Sequence, residues 1–86
     1  MALYFSSHIT ACLTKQALKA LMQDLMKARE VKIRRCISSQ LGGRMLTEVE
    51  APDLPTLEKF LQAHNMNCEW IMRIDLDAKD GTVTEY

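Results

Sequence analysis

Eighty-six residues make one small domain, and a chain of this size buries a smaller share of its surface than larger domains do, so association is a natural way to gain burial. Eleven Lys and Arg balance 11 Asp and Glu with no basic stripe, which excludes nucleic acid or an anionic membrane as a partner selected by overall charge. The apolar run Met1 to Phe5 is too short for a signal peptide or a membrane span, and Cys12, Cys36 and Cys68 form neither a CxxC pair nor an even set, so the expectation is a cytoplasmic chain with reduced thiols.

Leu3 to Ile9 is rich in aromatic and β-branched residues and predicts a strand. Its alternation places Leu3, Phe5 and Ile9 on the expected core face and Tyr4, Ser6 and His8 on the face away from the helices. Thr14 can cap a helix running to about Arg29, in which Ala17, Leu18, Leu21, Leu25 and Ala28 recur at helical spacing. Val31 to Ser38 and Arg44 to Ala51 alternate with period two around Gly42-Gly43 and predict a hairpin. The register that gives every row compatible neighbours pairs Lys32 with Glu50, Ile33 with Val49, Arg34 with Glu48 and Ile37 with Met45. It leaves Arg35 in the core-facing row, where an edge strand would let its guanidinium reach water.

Asp53 is a suitable N-cap and Pro55 fits the first turn of a second helix, with Leu54, Leu57, Phe60 and Leu61 as its apolar stripe and Asn65 at its end. A last strand runs from Cys68 to about Leu76, with Cys68, Trp70, Met72, Ile74 and Leu76 expected on the core row and Ile71 and Arg73 opposite. The order β-α-β-β-α-β predicts an α+β, ferredoxin-like sandwich over residues 1–77, a four-stranded antiparallel sheet with both helices on one face. Residues 78–86 form a C-terminal tail in which Asp80-Gly81 signals a type I′ hairpin, able to add a strand or to reach a partner.

The uncovered sheet face is expected to carry Tyr4, Ser6, His8, Lys32, Arg34, Cys36, Leu46, Glu48, Glu50, Ile71, Arg73 and Asp75, a mixture that calls for cover. A second copy packed face to face would make a dimeric barrel-like body, with a small-ligand pocket formed by Tyr4, His8, Arg34 and Glu48. The same topology brings His8, Cys12, His64 and Cys68 to one rim, a donor set suited to zinc or nickel, with His8 and His64 as the expected ligands. Strand parity divides that set, because it turns His8 outward and Cys68 inward. The plainer alternatives are a helix-end imidazole for His64, a small buried hydrophobe for Cys68, and packing for the six methionines. An isomerase- or lyase-like enzyme using His8 as general base, oriented by Tyr4, Arg34 or Glu48, stays open, as does a structural or regulatory module without chemistry.

The segment from Gly43 to Ile74, through its VEAPD run and its Ala63-His64-Asn65 step, resembles the second half of a small bacterial family of nickel-binding proteins with ferredoxin-like folds. In that family a strand resembling VEAP leads into a helix ending in Ala-His-Gly, and the first strand ends in a histidine; His64 and His8 stand at those places. The resemblance implies a homodimer and a histidine-bound nickel ion. This chain departs from it in carrying Asn65 for the glycine, and Leu21, Met22, Phe60 and Leu61 near the stretches where members have further helix histidines.

Overall fold

The computed structural model describes all 86 residues. In chain order they form β1 (Ala2–Ile9), α1 (Lys15–Leu25), β2 (Lys32–Ser39), β3 (Arg44–Ala51), α2 (Leu54–Ala63), β4 (Cys68–Arg73), β5 (Leu76–Lys79) and β6 (Thr82–Glu85). The first four strands make one antiparallel sheet in the order β2-β3-β1-β4, and residues from both helices join its buried face in a single core, an arrangement compatible with a ferredoxin-like fold.

Each helix is delimited by local chemistry. Thr14 Oγ1 accepts from Ala17 N–H at the start of α1, and Asp53 Oδ1 accepts from Thr56 N–H at the start of α2, so both expected caps form. α1 stops at Leu25, short of the expected Arg29, because Lys27 and Ala28 donate to carbonyls only three residues back and tighten the chain into turns. α2 closes with Asn65 N–H donating to Gln62 O and Met66 N–H to Leu61 O, a Schellman pattern that puts Asn65 at φ 53°. Asparagine tolerates that left-handed conformation better than other side-chain-bearing residues, which explains how it can stand where the resembling family has glycine.

The facing of β1 is the reverse of the sequence expectation. Tyr4, Ser6 and His8 are 6 %, 0 % and 1 % exposed and share rows with Val49, Thr47 and Met45 of β3 on the helix-covered side. Leu3, Phe5, Ser7 and Ile9 occupy the other side, opposite Glu50, Glu48, Leu46 and Arg44. β1 is central and has apolar residues on both faces, so its alternation does not say which face the helices take.

Two bulges interrupt the sheet. β2 and β3 pair Lys32 with Glu50 and Ile33 with Val49 as expected, but the register then shifts, so that Arg35, not Arg34, faces Glu48, and Ile37 faces Leu46 in place of Met45. The extra residue moves Arg35 and Ile37 to the open face and turns Cys36 and Ser38 toward the helices; Ser38 Oγ reaches Met22 Sδ of α1 at 3.2 Å. The second, between Ser7 and His8, sets Cys68 across from His8 and out of the row of Trp70; β4 otherwise turns over together with β1, so Trp70 and Met72 lie on the open face beside Phe5, and Ile71, across from Ser6, packs on the core. The open face therefore holds Phe5, Ile9, Arg35, Ile37, Leu46, Glu48, Trp70 and Met72.

The tail forms a separate hairpin from β5 and β6, not a fifth strand of the main sheet. Asp80 and Gly81 both take positive φ, as a type I′ turn requires. It stands over one end of the open face, leaving a cleft of about 610 Å³ between Arg34, Arg35 and Glu48 on one side and Asp77, Thr84 and Tyr86 on the other.

Candidate functional site

Because alternate residues of a strand share a face, Ser6 and His8 sit side by side, and the β1–β3 register sets Thr47 directly across from Ser6. The three side chains form one buried chain of hydrogen bonds, with Thr47 Oγ1 against Ser6 Oγ and Ser6 Oγ 2.8 Å from His8 Nε2. Burial pushes the His8 pKa down to about 4, an effect partly offset by the negative charge of Glu69, so the imidazole is neutral at pH 7. A neutral ring offers one donor and one acceptor nitrogen.

His8 Nδ1 has no hydrogen-bond partner, and neither does the buried hydroxyl of Thr10 two residues on. These are the two orphaned buried side-chain polar atoms of the molecule, and both residues line the same small cavity of about 120 Å³. Its walls come from the end of β1 and the following loop (Thr10, Cys12, Leu13), from Leu21 of α1 and Met45 of β3, and from Asn65 to Asn67. Backbone bonds hold those walls in place: Ile9 N–H donates to Asn67 O and Thr10 N–H to Gly43 O, each at 2.9 Å. Gly43 takes φ 66° and lies so close to Ala11 that an added Cβ would come within 2.9 Å of the alanine methyl. The volume falls well below the ~300 Å³ at which drug-sized ligands begin and suits a molecule of a few heavy atoms. A larger groove of about 390 Å³ runs between α2 and β4 past Leu61, Met66 and Trp70, but it contains no unpartnered buried polar atom.

The residues singled out from sequence do not converge. Tyr4 and His8 lie beneath the helices, whereas Arg34 and Glu48 line the cleft under the C-terminal hairpin, so these four do not form one pocket. His64 is placed by packing: Nδ1–H donates to Phe60 O at 3.0 Å, the ring lies on Phe60 with centroids 4.3 Å apart, and Nε2 is 3.7 Å from Asp24 Oδ2 of α1. It ties the two helices together, and it lines a different cavity from His8. Of the other expected metal donors, Cys12 lines the same cavity as His8, and Cys68, the cross-strand partner of His8, lines the α2–β4 groove. Burial raises the thiol pKa of Cys68, and that of Cys36 to about 11, so neither favours the thiolate a metal would bind. No group of three or more His, Cys, Asp or Glu side chains comes together within the chain, so the donor set that nickel or zinc requires is not assembled there.

Ser6, Thr10 and Thr47 are the participants that sequence reasoning missed. The Ser-x-His spacing on a predicted strand was a usable signal for the first; Thr47 emerges only once the register is known. No helix is long and apolar enough to cross a membrane. Comparison of the chain with protein-family models, curated proteins and solved structures found no match, so the likeness to nickel-binding proteins rests on its short motifs alone.

Proposed function

We propose that this chain is a homodimeric binding protein of ferredoxin-like architecture that takes a small ligand into the cavity at the end of β1, against His8. The observation that carries the reading is the unpartnered Nδ1 of a histidine 1 % exposed that lines this small cavity. A buried polar atom without a partner costs on the order of 1–3 kcal/mol, and a ligand that satisfies it recovers that free energy on binding. The setting proposed is the cytosol, whose reducing conditions keep Cys12, Cys36 and Cys68 as free thiols.

The partner in this reading is a second copy, seated on the open sheet face. Trp70 and Met72 are 39 % and 54 % exposed there, flanked by Ile9 and Ile37, while the helices cover the opposite side. The face also carries both signs of charge, with Arg35 opposite Glu48 and Arg44 bonded to Glu69, so a two-fold axis can set each cation near a carboxylate of the other copy.

Binding is tested by NMR spectra of the full chain with a panel of small organic probes. The reading predicts that some probes shift the amides of Thr10, Cys12 and Met66 and that His8→Phe, which fills the cavity, removes the response. A panel that moves none of these amides overturns it.

A further inference from the structure

We infer that His8 presents its Nδ1–H to the cavity as a donor, and that the ligand is a small uncharged molecule bearing an oxygen acceptor, of the class of a short ketone, amide or alcohol. The inference rests on the binding reading above and narrows it to a chemical class.

In the Thr47–Ser6–His8 chain, Ser6 Oγ can accept from both neighbours, which strands its own hydrogen in a site 0 % exposed, or donate to one and accept from the other, in two ways. In the first, the Thr47 hydroxyl donates to Ser6 Oγ and the Ser6 hydroxyl donates to Nε2. Both hydroxyl hydrogens are then used, and the ring proton stays on Nδ1. In the second, Nε2–H donates to Ser6 and Ser6 donates to Thr47. Thr47 is 1 % exposed and its side chain has Ser6 as its sole partner, so its own hydrogen is then buried without an acceptor while the Nδ1 lone pair is bare as well. Stranding a buried donor costs more than a made bond contributes, so the first orientation prevails. It leaves one unmet group, Nδ1–H, on a residue that lines the cavity.

The rest of the wall defines what can carry the acceptor. No Lys, Arg, Asp or Glu lines the cavity, so an ion entering it would lose its hydration without gaining a countercharge. Leu13, Leu21, Met45 and Met66 accept a short hydrocarbon portion, and the unpartnered Thr10 hydroxyl supplies a second polar contact.

The test is nitrogen NMR of the full chain with 15N-histidine, alone and with acetone (acceptor only), methylammonium (donor only) or xenon (neither). The free protein is expected to show His8 protonated at Nδ1 and unprotonated at Nε2, and acetone to perturb the ring and the Thr10 amide. In Ser6→Ala, where the ring is released from its partner, acetone should bind roughly tenfold more weakly. An unprotonated Nδ1 in the wild type overturns the inference, and because that measurement needs no variant, it decides the matter even if Ser6→Ala fails to fold. A response to methylammonium or to xenon but not to acetone overturns it as well, while leaving the cavity a binding site; silence from all three removes the binding reading and this inference together.

Discussion

Folding moves His8 from water, where an imidazole titrates near 6.5, into a site that holds its pKa down at about 4. Below pH 6.5 the unfolded chain therefore takes up a proton that the native chain refuses. Native stability falls as the pH drops through that value, and the loss levels off near pH 4. At about 1.4 kcal/mol per pKa unit the loss reaches roughly 3 kcal/mol. His8→Gln, which keeps a polar group near Ser6 but cannot charge, should flatten this part of the pH profile measured by urea unfolding; a profile as steep as the wild type's would contradict the burial of His8. At this scale the sequence was half legible. The spacing of Ser6 and His8 showed that they share a face, but not which face, because β1 is flanked by strands on both sides and carries Leu3 and Phe5 on one face against Tyr4 on the other.

Elements were more legible than facings. Thr14, Asp53 and Pro55 announced both helix starts, and Asp80-Gly81 announced the terminal hairpin, since each acts through bonds or dihedrals within a few residues. The bulges were hidden, because one extra residue changes no composition; the sign of the first was Arg35, stranded in a core row until the shift at Arg34 moved it to the open face. The β2–β3 turn also holds one wall of the cavity at the end of β1, since Gly43 both takes a left-handed conformation and accepts the Thr10 amide. Gly43→Ala should cost about 1–3 kcal/mol in urea unfolding, from backbone strain together with the clash at Ala11. A change below a few tenths of a kcal/mol would mean that the turn is free to relax.

For the molecule as a whole, the proposed roles fall on the two sides of one sheet, with a ligand beneath the helices and a second copy on the open face. The sequence placed Leu46, Glu48 and Glu50 of β3 on the open side, where they do lie. It misassigned the contributions of β1 and β4 together, because alternation in a central strand with apolar residues on both faces does not say which face the helices cover, and β4 follows β1 through their pairing. Met72 stands free on that face, so Met72→Asp should leave the monomer folded while burying an unpaired charge in the dimer. Sedimentation at micromolar concentration is expected to show a dimeric wild type and a monomeric variant, and a monomeric wild type would retire the second copy. The whole division depends on the side of the sheet that His8 occupies, and the most direct measurement is the NMR titration of its ring from neutral pH downward. The account predicts an imidazole that stays neutral until the pH approaches about 4; a midpoint near 6.5, the value of a solvated ring, would place His8 in water and contradict it.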